Sequence, residues 1–285
     1  EPMLSWDCIR EGVIHARRKV SDRDINLNIR IITNGSIIDS DILDFLKNQH
    51  IDVSVSFEII PEVQDMQRKH YDMVYQNINS LLDHGIAVQI NSTITPANVE
   101  RMEEMIHLLH THFPSVKNAM FEPVVSQEMF ATPLDMRIFY EKYVEHFCES
   151  LSLADRYGIA LTSFAYLRTI FPLERSCPGE LCVTADADIT GCYCVASPQD
   201  ALFGETKYGT ISDGKIDFDM DSFHKLLSKN VYSRAECKEC KVKWNCGGGC
   251  FHQYATYSQP YKEEVCRFTK SFFEHILWYK VKKGM

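Results

Sequence analysis

The sequence predicts an α/β protein: a parallel sheet built from strand–helix units, then a cysteine-rich domain assembled around metal. Two observations carry this. Four apolar, strand-like runs start 26, 34 and 32 residues apart with helical segments between them, a spacing that suits βα units feeding a parallel sheet. Nine of the eleven cysteines lie in the last 109 of the 285 residues, so thiolates are concentrated in one part of the chain.

The strand-like runs fall at 27–33, 53–57, 87–93 and 119–125, with a further strand at 159–163. Apolar periodicity predicts helices over 6–19, 39–48, 71–83, 96–111 and 134–157. In the fourth of these, Val99, Met102, Met105, Ile106 and Leu109 form a stripe that reads as core. Residues 197–219, rich in Gly, Asp and Ser, predict a loop with a short hairpin. The last element, 267–283, is an amphipathic docking helix with Phe268, Phe272, Ile276 and Tyr279 on one side.

With 45% hydrophobic and 24% charged residues the chain has the composition of a soluble globular protein. Its apolar runs are far shorter than a membrane span, so no membrane partner is expected. A formal charge of −9 argues against a nucleic-acid partner. Reduced cysteines point to the cytoplasm.

The cysteines form two groups. Cys237-x2-Cys240-x5-Cys246-x3-Cys250 is followed by Cys266, and Cys177, Cys182, Cys192 and Cys194 lie upstream. Thiolate is the ligand of soft metal centres, and eight or nine of them suffice for two four-ligand iron–sulfur centres. A disulfide framework suits a small secreted domain rather than a long chain with an odd cysteine count. A zinc ribbon on Cys237, Cys240, Cys246 and Cys250 leaves Cys266 and the upstream group without a role. Cys8 and Cys148, each alone in a helical stretch, read as buried and inert.

The spacing, the Gly247–Gly249 run and the trailing Cys266 resemble the SPASM domain, which is appended to radical SAM enzymes and holds two auxiliary [4Fe–4S] clusters. The opening cysteine, hairpin and cysteine of that domain match Cys177 to Cys192, with Ala187 where the hairpin turn usually has glycine. By this resemblance, one cluster takes Cys177, Cys182, Cys192 and Cys250, and the other takes Cys237, Cys240, Cys246 and Cys266. Cys194 is a spare that could replace Cys192 or Cys182. The glycine run lets the backbone turn sharply between Cys246 and Cys250.

The first half resembles the radical SAM barrel, (β/α)6 in the family, without its first strands. Glu1-Pro2 is similar to the end of the Gly-Gly-Glu-Pro segment, and Thr33-Asn34-Gly35 to the family's Thr-Asn-Gly. Ser54-Val55-Ser56-Phe57-Glu58 is similar to the Ser-x-Asp-Gly strand end, with Glu58 for Asp and Ile59 for Gly. Gln64-Asp65-x2-Arg68 resembles His-Asp-x2-Arg, and Asn91 to Pro96 the fifth strand and its turn. The resemblance implies a partial barrel over 1–165 and a SPASM domain over 166–285. It also implies S-adenosylmethionine contacts at Glu1, Asn34, Ser56, Glu58 and Asn91.

Radical SAM chemistry needs Cys-x3-Cys-x2-Cys, and the chain has none. About 80–100 residues carrying strands one and two are therefore expected to precede Glu1 in the intact protein. The resemblance implies a peptide- or protein-modifying enzyme of the sulfatase-maturase-like branch. In its intact form it would hold a third [4Fe–4S] cluster and receive electrons from a donor such as ferredoxin or flavodoxin. The alternative is a non-catalytic adaptor of the same fold that binds a peptide or a maturase partner. No catalytic residue is assigned. Glu122 reads equally as a cavity group or a solvated carboxylate, Tyr193 as a packing residue, and His252 as a surface group or one set close behind the ligands.

Overall fold

The computed structural model describes residues 1–177 and 179–284. The chain divides into two compact units, Glu1–Val124 with Lys142–Ser163, and Val125–Glu141 with Phe164–Met285. No helix among the described residues is long and apolar enough to cross a membrane.

The first unit holds a five-stranded sheet of β1 (Arg30–Thr33), β2 (Asp52–Ser56), β3 (Val88–Ile94), β4 (Asn118–Pro123) and β5 (Ala160–Thr162). All pairs are parallel and the spatial order is the sequence order. The helices are α1 (Trp6–Val20), α2 (Ser40–Asn48), α3 (Pro61–Gln67), α4 (Tyr71–Asp83), α5 (Met102–His112) and α6 (Pro133–Tyr157). The boundary between the units falls inside α6, after Glu141.

Parallel crossovers are right-handed, so a sequential strand order places every connecting helix on one face of the sheet. Strand alternation agrees. Ile31, Val53, Val55, Val88, Ile90, Ile94, Phe121 and Leu161 are buried on that face with Leu46, Ile78, Leu81, Ile106 and Leu109 of the helices. The predicted stripe of Val99, Met102, Met105, Ile106 and Leu109 is core. The opposite face carries Asp52, Ser54, Ser56, Gln89, Asn91, Thr93, Asn118, Met120, Glu122 and Thr162, in register across four strands. A parallel sheet is normally apolar on both faces. A polar face is one kept for something other than packing.

Differences from the predicted elements have local causes. Strand β1 starts at Arg30, not at 27, because β2 starts at Asp52 and the preceding Ile51 N–H closes the end of α2 on Leu46. The predicted helix 96–111 begins as a 3-10 turn at Val99–Arg101. Asn98 causes this: its side chain accepts from Thr95 N at 2.7 Å and donates to Thr93 O at 3.1 Å. Helix α3 is too short for a periodicity to show. Cys8 is exposed rather than buried, because α1 turns that position outward. Cys148 is half-buried, and burial pushes its thiol up to about 11.

The second unit holds an antiparallel sheet in the order β6 (Cys182–Val183), β7 (Asp188–Thr190), β8 (Lys207–Ser212) and β9 (Lys215–Phe218). Strands β8 and β9 are the hairpin predicted in 197–219, joined through Asp213 and Gly214 at φ 50° and 70°. Two consecutive positive φ values favour Asp-Gly. The helices are α7 (Phe164–Arg168), α8 (Phe203–Thr206), α9 (Met220–Leu227), α10 (Lys243–Cys246), α11 (Phe251–Thr256) and α12 (Gln259–Lys283). Ile189, Val195, Leu202, Tyr208, Leu226 and Phe251 form the core, and Cys177 and Cys192 pack against it.

Helix α12 starts eight residues before the predicted helix, with Pro260 in its first turn. Phe268, Phe272 and Ile276 are buried as predicted, and Tyr140 stacks on Phe268 at 4.3 Å. Arg137 donates twice to the buried Glu264 carboxylate, at 2.9 and 2.6 Å. This holds Glu264 below the usual carboxylate range and fixes α12 two residues ahead of Cys266.

Ala187, in the β6–β7 turn, has φ 61°. A side chain in that region costs about 1–2 kcal/mol, and glycine returns about 0.5–1 kcal/mol of this as unfolded-state entropy. Ala187→Gly is therefore expected to stabilise the unit by about 0.5–1 kcal/mol. A denaturation midpoint at or below that of the parent would show that the turn is unstrained.

Candidate metal centre and strand-end site

Four local devices deliver the cysteines. Cys237 ends a 3-10 turn and its carbonyl accepts from Cys240 N at 3.2 Å. Cys246 closes α10, and Gly247 caps that helix with φ 61°. Gly248 and Gly249 follow at φ 81° and 76°, so three successive residues occupy the region that glycine alone enters freely. Cys250 is then the N-cap of α11. Cys182 opens β6, Cys192 lies two residues past β7, and Cys266 sits in α12.

The Gly247 turn is held against the upstream cysteine loop by backbone alone. Ser176 N donates to Gly247 O at 2.7 Å, one residue before Cys177. A Cβ on Gly247 would meet Ser176 N at 2.5 Å and the Arg175 carbonyl carbon at 2.7 Å. Arg234 donates to Gly248 O and lies 3.7 Å over the Tyr254 ring.

Cys237, Cys240, Cys246, Cys250 and Cys266 line one cavity of about 410 Å³. Arg168, Arg234, Lys243, Lys262, Arg267 and Lys270 line it too, against the carboxylates of Glu236 and Glu263. The wall is thus cationic where thiolates converge.

The thiols fall into two electrostatic neighbourhoods. Burial pushes Cys246 up to about 11, opposed by Arg168 and reinforced by Cys266, Cys237 and Cys240. Burial also raises Cys266, which feels Cys237 and Cys240, and Cys237, which feels Cys240. Burial pushes Cys192 up to about 12, and its thiol neighbours are Cys194, Cys250 and Cys177. Cys182 is raised by burial and then by Glu180, Cys177 and Cys194. Cys194, exposed and also raised by burial, feels Cys250. By these couplings Cys246 sides with Cys237, Cys240 and Cys266, whereas Cys250 couples to the upstream thiols while lining the same cavity as Cys246. The upstream group contains five thiols: Cys177, Cys182, Cys192, Cys194 and Cys250.

The group suits a cluster. Cys182, Cys192, Cys194, Cys237, Cys246 and Cys266, whose thiols burial disfavours ionising, need a strong cationic acid to ionise, and bound iron is one. A single tetrahedral zinc, with Zn–S bonds of about 2.3 Å, draws its sulfurs to about 3.8 Å from one another. Among the described residues, the one group of three or more ligand atoms within 4.8 Å of each other is Glu103, His146 and Glu149, and it contains no cysteine.

In the first unit, of the five residues implied as cofactor contacts, Asn34, Ser56 and Glu58 lie at or just past the C-terminal ends of β1 and β2, Asn91 lies midway along β3, and Glu1 lies against the end of β1. Glu1 accepts from Thr33 Oγ1 at 2.6 Å and from Asn34 N at 2.7 Å, so it braces the loop after β1. Ser56 is the register partner of Asn91, whose side-chain oxygen accepts from Gln89 Nε2 at 2.7 Å. Glu58 is fully buried. One oxygen accepts from Arg68 Nε at 2.6 Å, and the other from Ser92 Oγ at 2.7 Å and Thr93 N at 2.9 Å. Its carboxylate is thus engaged within the protein.

The Gln64-Asp65-x2-Arg68 segment supports this arrangement. Gln64 accepts from Glu58 N and donates to Lys69 O, and Asp65 accepts from Tyr71 N at the start of α4. Ile59 occupies φ 67°, the backbone of the glycine for which it stands. Asn34, Ser36, Gln64, Arg68, Lys69 and His70 line a second cavity of about 370 Å³. Lys69 and His70 were not foreseen there. Both have positive φ, 68° and 59°, and nothing in their identity announces it. Glu122 sits on the polar sheet face beside Thr93. Tyr193 is 70% exposed, in the irregular segment between Cys192 and Cys194. His252 is half-buried.

No protein-family model matches the chain, and neither does any curated protein. Solved structures do. Native anSMEcpe with bound AdoMet superposes with a TM-score of 0.73 at 17% identity, over 99% of this chain and 82% of that one. Native anSMEcpe with bound AdoMet and Kp18Cys peptide gives 0.74 at 16% identity, with the same coverage. Streptococcus suis SuiB bound to S-adenosylmethionine gives 0.59 at 16% identity, over 89% of this chain and 61% of that one. At such identities the likeness is one of fold.

Proposed function

We propose that this chain, whose fold is that of a partial radical SAM barrel followed by a SPASM domain, is part of an enzyme that modifies a peptide or protein by hydrogen abstraction. Neighbouring structures of this fold hold AdoMet and peptides, which supports a peptide substrate. Cys177, Cys182, Cys192 and Cys250 hold one [4Fe–4S] cluster in this reading, and Cys237, Cys240, Cys246 and Cys266 hold the other. Bound clusters of this kind supply one-electron transfer. The chain's own residues partly shield most of the thiols, offset negative charge with Arg168, Arg234 and Lys270, and fix the spacing between the two groups. Asn34, Ser56 and Asn91 remain the candidate AdoMet contacts. Glu1 and Glu58 position the loops around them. The cytoplasm, and ferredoxin or flavodoxin as electron donor, complete the reading.

The carrying observation is that five thiols, Cys237, Cys240, Cys246, Cys250 and Cys266, line one cavity, one more than a tetrahedral zinc takes, with Cys250 also coupled to the upstream thiols. This supports two clusters with interleaved ligands over one zinc ribbon on four consecutive cysteines. Anaerobic reconstitution is expected to give about eight irons per chain. Cys266→Ala should deplete one cluster and Cys192→Ala the other, each leaving about four irons with the spectrum of its sibling. A protein that holds a single zinc and takes up no iron would refute the reading.

The missing Cys-x3-Cys-x2-Cys favours one other reading, a non-catalytic adaptor that binds a peptide or a maturase partner. A triplet encoded ahead of Glu1 decides for the enzyme, and its absence from the whole gene decides for the adaptor.

A further inference from the structure

Three of the buried polar atoms that lack a hydrogen-bond partner are Ser176 Oγ, next to Cys177, and His252 Nδ1 and Tyr257 Oη, which follow Cys250 in and just after α11. Tyr257 is the most telling. The residue is 5% exposed, and it lines the cysteine cavity with Cys250. The Gln253 amide lies nearby but makes no bond of hydrogen-bond geometry to it. A buried hydroxyl left without a partner forfeits the hydrogen bond it makes to water in the unfolded chain. The sheltered end of a tyrosine ring therefore implies an acceptor that occupies the cavity.

The acceptor has to be one that a phenol O–H can serve. Tyr257 lines the cavity with Cys250, and the charges nearest to it are those of Glu128 and Cys250. A cluster-bound thiolate offers sulfur lone pairs, and hydrogen bonds to such sulfurs are among the factors that set cluster potentials.

We infer that Tyr257 donates a hydrogen bond to the Cys250 sulfur of the cluster-loaded protein and thereby raises the reduction potential of that one cluster. The inference rests on the two-cluster reading above. Donation to a thiolate stabilises the more negative, reduced cluster over the oxidised one. Tyr257 is in this sense a positioning and tuning group and touches no substrate.

The test is Tyr257→Phe, which deletes one oxygen and keeps the ring. Reconstituted parent and variant are compared by iron content and by redox titration followed by EPR, which resolves the two clusters. The expected result is unchanged iron and a potential lowered for the Cys250-bearing cluster alone. A tenfold shift in its reduced-to-oxidised ratio corresponds to about 59 mV for one electron. Equal potentials in parent and variant, or a shift confined to the cluster of Cys266, would overturn the inference. Should the variant lose iron, the parent still decides. Its reduced cluster must show an exchangeable proton coupling that disappears in deuterated buffer, and lack of that coupling is equally fatal. Failure of the parent to take up iron would instead remove the two-cluster reading itself.

Discussion

Gly247→Ala is expected to unfold the cysteine-rich unit or to cost it more than about 3 kcal/mol and, on the two-cluster reading proposed above, to lower the iron content of both clusters together. The new Cβ would lie 2.5 Å from Ser176 N, 2.7 Å from the Arg175 carbonyl carbon and 2.9 Å from Ser176 Cα. All three are backbone atoms, so no side chain can swing away. The φ of 61° adds a left-handed cost of about 1–2 kcal/mol. Relief requires the two strands of chain to part. That breaks the Ser176 N to Gly247 O bond and separates the loop of Cys177 from the turn between Cys246 and Cys250. Gly249→Ala is the internal control. It shares the positive φ of 76°, but its Cβ would meet only Arg234 Nη1 at 3.7 Å and Cys246 Sγ at 4.0 Å. Its cost should stay near about 1 kcal/mol. Equal effects of the two substitutions on denaturation midpoint and iron content would show that conformation alone, not the close backbone approach, sets the cost.

Glu58→Ala is expected to destabilise the sheet unit by about 3 kcal/mol. The carboxylate is fully buried, and it satisfies Arg68, Ser92 and the Thr93 backbone N–H at once. Removing it strands a guanidinium and two further donors at the strand ends. Loss of one partner of a buried pair costs about 3–5 kcal/mol, and the exposed third of the Arg68 side chain places the effect at the lower end. Glu58→Gln keeps an acceptor for one set of donors and drops the charge, so it should fall between parent and alanine. Chemical denaturation measures the order. A Glu58→Ala variant within about 0.5 kcal/mol of the parent would show that Arg68 finds another acceptor. Arg68→Ala in the same background should then add little, because the two residues share one interaction.

The chemistry of the cysteine-rich unit was legible because ligand type and short spacing are local properties. Cys-x2-Cys, the glycine run and the distant Cys266 are visible as letters. The parallel sheet was legible because βα units repeat their apolar pattern, and the helix 71–83 was read to its last residue. Exposure of isolated positions was less legible. Cys8 reads as buried and is exposed, because helix α1 turns its position outward, and Tyr193, in an irregular segment with no periodicity to fix its side, is exposed as well.

The sequence by itself determined the strand–helix alternation, the polar strand ends and the supply of thiolates, all of which depend on neighbours within a few residues. Only the tertiary structure decided which thiols meet. Cys246 and Cys250 part company because three glycines reverse the chain against the backbone of Ser176, a contact made across about seventy residues of sequence. The fate of Glu58 was likewise decided in space. Its letter suggested a cofactor contact, and burial beside Arg68 and Ser92 turned it inward, because a carboxylate taken out of water must find its hydrogen bonds within the protein.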